Sequence, residues 1–269
     1  MPPRAGARWR ALLGRATALA ACALITATPT TAAVPARVGD HAMGSQIAAH
    51  EGGDRRVVLD PARSTRAVVE GIDVSSHQGD VDWWHWWGQG KRFAYVKATE
   101  STTYRNPHFT QQYDGSYHVG MIRGAYHFAL PDQSSGTAQA DFFVDHGGGW
   151  SGDGKTLPGA LDMEYNPYGS ICYGLSKESM VAWVAAFHDR YHARTGRHPV
   201  VYTSANWWNQ CAAGDFSATS PLWVARYASG VGALPHAWGY HTFWQYTSSP
   251  LDQNQFNGAY DRLQALANG

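Results

Sequence analysis

The feature that most constrains the fold is a repeated alternation of short apolar runs with longer stretches of helical character. Candidate strands lie at Gly71–Val74, Phe93–Lys97, Ile122–Phe128, Gly159–Met163, Val200–Thr203, Leu222–Arg226 and Thr242–Tyr246. Helical patterns separate the first six. The clearest runs from Lys177 to Thr195, where Met180, Trp183, Val184, Phe187 and Tyr191 fall on one stripe. Ser176 is placed to cap its start and Gly196 to stop it. Repeated strand–helix units with apolar strands predict a parallel sheet. About eight such strands close into a barrel. Little sequence separates the last strands, so the later helices are expected to be lost. An open doubly wound sheet is the alternative, but no glycine-rich fingerprint follows the first strand.

Polar and aromatic residues gather where these strands end: Asp73, Lys97 and Glu100, Tyr126 and His127, Asp162 and Glu164, Tyr202, Arg226 and Tyr227, Trp244 and Gln245. In strand–helix barrels the C-terminal strand ends surround the active site. The strongest chemistry is Leu161-Asp162-Met163-Glu164. Leu161 and Met163 share one strand face, and Asp162 and Glu164 share the other. Two acids two residues apart repel, and partial burial disfavours ionisation further, so one retains a proton beside an ionised partner. Glycosidic cleavage needs that division: an acid for the leaving oxygen and a carboxylate that stabilises positive charge. A solvated strand end is the bland alternative. Asp73 could meet the pair across the barrel mouth.

Metal chemistry is the rival. The chain has 13 His but no H-E-x-x-H spacing. His77 and His127 could meet at the mouth, although two His near acids are more often hydrogen-bonded neighbours than ligands. No cofactor and no metal are implied, and the lack of a G-x-S-x-G elbow argues against a serine nucleophile.

The first 33 residues read as a secretory signal: Arg4, Arg8, Arg10 and Arg15 precede an apolar run from Ala16 to Ala27, and Thr31-Ala32-Ala33 offers small residues for cleavage. Leu19-Ala20-Ala21-Cys22 also resembles a lipoprotein-processing box, which gives a minor alternative anchored at Cys22. Residues 34–67 show no helical or strand periodicity and read as a linker or pro-segment. Residues 68–269 then form one domain of ordinary size. Cys172 and Cys211 remain in the exported chain; an even pair reads as one disulfide, with two unpaired buried thiols as the alternative.

Composition narrows the function. Basic and acidic residues balance at 21 each, and leader removal leaves 17 basic against 21 acidic. That is no profile for a nucleic-acid binder. After the leader no apolar stretch spans a bilayer, so the exported form is expected to be extracellular and off the membrane, with a monomer as the default. Aromatics reach 13%, which suits stacking on sugar rings or an aromatic core. Trp83, Trp84, Trp86 and Trp87 crowd five residues; Trp83 is expected to be buried and one of the others exposed.

These residues fall into blocks that resemble glycoside hydrolase family 25, the bacterial and phage-type muramidases. The blocks are GIDVSSHQGDVDW, FAYVKATESTTYRNP, RGAYHF, LDME, PVVYT, LWVARY, FWQYT and LDQNQFNG, in family order over about residues 70 to 260. One departure is Ser101, where the family usually has Gly; a positive φ there would strain Ser and alter the loop beside Glu100. The resemblance implies an α/β fold, a modified TIM-like barrel of eight strands with about five helices. It implies hydrolysis, with retention, of the β-1,4 bond between N-acetylmuramic acid and N-acetylglucosamine, the partner being the peptidoglycan glycan strand. Carried over residue by residue, Glu164 is the proton donor, and Asp162 is either the nucleophile or the orienter of the substrate N-acetyl group. Asp73 and Asp252 match the other acids. Tyr126, Tyr202 and Trp244 match groove positions, with Lys97 and Glu100 in the matched K-A-T-E block. A non-catalytic glycan-binding module and a chitinase-like hydrolase are the other functional classes.

Overall fold

The computed structural model describes residues 39–52 and 67–269. The expected leader, including Cys22, lies outside the described residues. Helix α1 (Ser45–Glu51) comes first, followed by β1 (Val69–Val74), α2 (Trp83–Gly88), β2 (Phe93–Glu100), β3 (Tyr104–Arg105), α3 (Phe109–His118), β4 (Ile122–Phe128), α4 (Gly136–Phe143) and β5 (Ala160–Asp162). The remainder is α5 (Lys177–Thr195), β6 (Val200–Thr203), α6 (Ala205–Cys211), β7 (Leu222–Ala225), β8 (Phe243–Thr247), β9 (Gln253–Phe256) and α7 (Tyr260–Asn268). The seven expected strands are present within a residue or three of their predicted ends.

Eight strands close a barrel in the order β1, β9, β8, β7, β6, β5, β4, β2, with β1 pairing back onto β2; β3 hangs on the outer edge of β2. Pairings from β1 through β2, β4, β5, β6, β7 and β8 are parallel. The closing strand β9 is antiparallel to both β1 and β8. No helix separates β7 from β8, as the short remaining sequence implied. Seven α-helices occur among the described residues against the about five implied. One of them, α1, precedes the barrel, and α2 and α6 are only 6 and 7 residues long.

Side chains alternate across each strand, and the inward set fills the bore. Rings of Phe93, Tyr95, Trp223, Phe243, Phe256 and Tyr202 form a continuous stack, with neighbouring centroids 4.7 to 5.7 Å apart. Much of the aromatic content is therefore core. Two glycines make this packing possible. A Cβ on Gly71 would lie 2.5 Å from the Phe93 ring, and one on Gly124 would lie 2.3 Å from the Tyr95 ring. The outward strand faces meet the helices. There Trp183, Phe187 and Tyr191 of α5 stack in file with Phe143 of α4.

Helix α5 begins at Ser176, whose hydroxyl accepts from the Ser179 N–H, and ends at Gly196 with φ 75°. Both ends agree with the sequence reading. Helix α2 takes Asp82 as its cap; Trp83 is buried, Trp84 is 69% exposed, and Trp86 and Trp87 are partly covered. Cys172 and Cys211 form a disulfide across 39 residues of chain, with Cα atoms 5.2 Å apart. Replacing either with Ser is expected to reduce unfolding free energy by about 3–4 kcal/mol in the chain-entropy model. Denaturant titration of the variant against the oxidised parent measures it; a loss below about 1 kcal/mol would show that the bridge restrains little beyond what the fold already holds. No described helix is long and apolar enough to cross a membrane.

Candidate active site

The acids gather at the C-terminal mouth of the barrel, above the aromatic stack. Asp162 ends β5 on the inward face, and Glu164 follows two residues later. The Met163 N–H donates to the Tyr202 carbonyl at 2.9 Å, and the Asp162 carbonyl accepts from the Ala129 N–H at 3.1 Å. These backbone bonds tie the tetrapeptide to both neighbouring strands. Leu161 and Met163 are buried in the apolar core, while Asp162 and Glu164 are buried in the mouth.

Asp73 ends β1 on the same side. Its Oδ2 accepts from Gln245 Nε2 at 2.9 Å and from Asn254 Nδ2 at 2.7 Å. Gln245 Oε1 in turn accepts from the hydroxyls of Tyr202 (2.6 Å) and Tyr227 (2.7 Å). Asn254 Oδ1 accepts from the Trp223 indole N–H at 3.0 Å, which links the acid layer to the aromatic floor. Asp252 sits in the β8–β9 connection, and its carbonyl accepts from the Asp73 N–H at 3.3 Å.

Burial dominates the protonation of these acids. It raises Asp73 to about 7 against the two hydrogen bonds that favour its charged form. Glu164 is raised to about 8 by burial, against three backbone N–H donors and the Lys97 charge. Asp162 is raised well above the carboxylate range by burial and then by the Glu164 charge. Asp252 is raised by burial and then by Asp73 and Glu164. Neither carboxylate oxygen of Asp162 has a hydrogen-bond partner among the described residues. A buried acid left without a partner calls for an explanation, and in a mouth of this kind a substrate group supplies one.

Lys97 and Glu100 meet at 2.6 Å between Nζ and Oε2. A register shift between Lys97 and Thr99 brings both side chains to the mouth from one strand. Burial pushes Glu100 up, but hydrogen bonds from His41 and the adjacent Lys97 outweigh it and hold the carboxyl below its ordinary value. Ser101 does have positive φ, 50°, with its N–H donating to the Phe128 carbonyl at 3.1 Å. The strain expected of a non-glycine residue at this position is therefore present.

The structure brings Glu164, Asp162, Asp73, Asp252, Tyr126, Tyr202, Lys97 and Glu100 to one mouth. Two expectations need correction. Trp244 lies on the opposite face of β8 from Gln245, its indole N–H donating to the Arg226 carbonyl at 2.9 Å, so Gln245 takes the inward place. His127 points away from the mouth and bonds Thr99 Oγ1 and Gln139 Oε1, whereas His77 is exposed on the Asp40 carbonyl. The two histidines do not meet. Asn254 is a site residue that the strand-end pattern does not reveal, though the D-x-N block contains it, whereas Gln245 and Tyr227 belong to that pattern without a role assigned by it.

Buried carboxylates at the C-terminal mouth of a strand–helix barrel have the layout of a barrel glycoside hydrolase. The family model described as glycosyl hydrolases family 25 matches residues 72–254. Lysozyme M1 of Streptomyces globisporus is 44% identical over 265 residues, covering 91% of this chain and 90% of that protein. N,O-diacetylmuramidase of Chalaropsis sp. is 48% identical over 211 residues, covering 75% of this chain and 100% of that protein. The solved structure of a muramidase from Acremonium alcalophilum superposes with a TM-score of 0.73 at 53% identity, covering 75% of this chain and 99% of that one. The chain belongs to glycosyl hydrolases family 25.

Proposed function

We propose that this protein is an exported lysozyme that hydrolyses the β-1,4 bond between N-acetylmuramic acid and N-acetylglucosamine in peptidoglycan, with retention at the anomeric carbon. The observation that carries the reading is the Asp162–Glu164 pair: one acid has a proton to give at neutral pH, and the other is buried with no hydrogen bond to either oxygen among the described residues. Its likeness to lysozyme M1 and to N,O-diacetylmuramidase supports the substrate. The apolar leader and the disulfide of Cys172 and Cys211 support export.

In the proposed reaction, Glu164 donates its proton to the glycosidic oxygen as the bond to C1 breaks. The carbonyl oxygen of the substrate's own N-acetyl group attacks C1 from the opposite face, and Asp162 accepts from the acetamide N–H and balances the charge that develops. Glu164, now ionised, takes a proton from the water that opens the cyclic intermediate. Two displacements at C1 give retention. Asp73, Asp252, Tyr126 and Tyr202 line the same mouth as substrate contacts, and the Lys97–Glu100 pair sets the field beside it.

Product analysis tests the reading. Purified peptidoglycan should yield new reducing ends, and proton NMR should show the β-anomer as the first product formed. Chitin oligomers, which lack the lactyl ether of muramic acid, should be cleaved far more slowly. Equal turnover of both substrates would favour the chitinase-like reading, and binding without new reducing ends would favour a glycan-binding module.

A further inference from the structure

Residues 40–51 fill the mouth just described. Helix α1 is short and has no side-chain cap of its own; the acceptor at its start is the Glu164 carboxylate. The Gly44 N–H donates to Oε1 at 2.8 Å, and the N–H groups of Gln46 and Ile47 donate to Oε2 at 2.9 Å each. Both oxygens of the expected proton donor are thus engaged as acceptors. Around this contact the Met43 N–H donates to the Tyr126 hydroxyl at 3.1 Å, and the Tyr227 hydroxyl oxygen lies 3.1 Å from the Gly44 carbonyl oxygen. Lys97 donates to Asp40 Oδ1 at 2.9 Å and to the His41 carbonyl at 2.6 Å, while the His41 N–H donates to Glu100 at 2.9 Å.

The segment is also anchored at its far end. Glu51 accepts from the Tyr165 hydroxyl at 2.9 Å and from Asn206 at 2.9 Å, and it bonds the Ser204 hydroxyl. The His50 ring stacks on Tyr165 at 4.2 Å. Met43 and Ile47 are each 1% exposed and join the main apolar core. Gly44 has φ 78°, and a Cβ there would lie 2.1 Å from the Tyr227 hydroxyl and 2.5 Å from Gln245 Oε1. A side chain at this position cannot be seated in the mouth.

We propose that residues 40–51 are an autoinhibitory plug whose withdrawal from the mouth frees the cleft. The inference rests on the muramidase reading of the same site. A glycan strand cannot reach Glu164 while three backbone amides hold it. The Chalaropsis protein is matched over its whole length by 75% of this chain, and the Acremonium structure is covered to 99% by the same share, so about a quarter of this chain has no counterpart in either. Arg55, Arg56, Arg63 and Arg66 lie in sequence between the plug and β1, so a trypsin cut at any of them separates the two in sequence.

The test compares the full-length chain, its Gly44→Val and Ile47→Asp variants, and the full-length chain after limited trypsin treatment. Hydrogen exchange by mass spectrometry reads the amides of 43–51 directly, and reducing-end release from purified peptidoglycan reads the cleft. The untreated parent should show protected amides and release sugar at least about 10-fold more slowly than the variants or the cut chain, the ratio expected when at most a tenth of molecules are open. Freely exchanging amides in the parent, or equal rates across all four samples, would overturn the proposal. Protected amides over a barrel that releases nothing even when cut would instead remove the muramidase reading and leave the occlusion standing.

Discussion

Glu164→Gln is expected to reduce wall lysis by about 10²- to 10⁴-fold, the range typical of losing a general acid, in whichever form of the chain is active. The substitution keeps the side chain's size and removes the proton that must reach the leaving oxygen. It should not unfold the barrel, because the backbone of Asp162 and Met163 holds the tetrapeptide to its neighbours. A second readout separates this role from a structural one. In the plugged chain Glu164 is raised from 4.5 to about 8. Below pH 4.5 the folded and unfolded chains both keep the proton, so the group's contribution to stability is intact there. As pH rises through about 8, the unfolded chain sheds the proton before the folded chain does, and the contribution is lost. Gln does not titrate. The melting temperature of the variant minus that of the parent should therefore climb between pH 4.5 and pH 8. A flat difference would contradict the protonation assigned to Glu164, and near-parental lysis would contradict its role.

Asp162→Asn should depress turnover by about 10²- to 10³-fold, comparable to removing one preorganised electrostatic contact at a developing charge. The two carboxylate oxygens of Asp162 make no hydrogen bond among the described residues and so add nothing to the fold there, which places the loss on catalysis. Folding stability should hold, because burial already favours the uncharged form of Asp162 and Asn keeps its size. Asp162→Ala discriminates the two mechanisms. If the substrate's acetamide is the nucleophile, no attacking group is missing and azide should not restore turnover. Restored turnover with a glycosyl azide product would assign direct attack to Asp162.

Much of the fold was legible because parallel strands buried on both faces are written as unbroken apolar runs, and Ser176 and Gly196 mark α5 at both ends. The strand β9 was not, because Gln253–Phe256 carries a polar run with no alternation; its place is set by closure between β8 and β1. Helix α1 was missed for a related reason. Residues 34–67 show no periodicity, and seven residues without a local cap form a helix here on a tertiary acceptor and two apolar anchors. At the site, Asp-x-Glu was readable since strand geometry alone puts both acids on one face. Trp244 was misplaced because FWQYT is bulky on both faces, so the run does not say which residue of Trp244 and Gln245 points inward. The plug could not be read at all, since backbone amides make its contacts with Glu164 and no side-chain pattern encodes them.

The central claim is that the mouth acids cleave a glycan strand on the muramic acid side. Muropeptides released from purified peptidoglycan in heavy-oxygen water test it most directly by mass spectrometry. The account predicts one heavy oxygen at the reducing end of N-acetylmuramic acid, with stem peptides intact. Label on N-acetylglucosamine reducing ends, or label in the peptide with the glycan uncut, would contradict it.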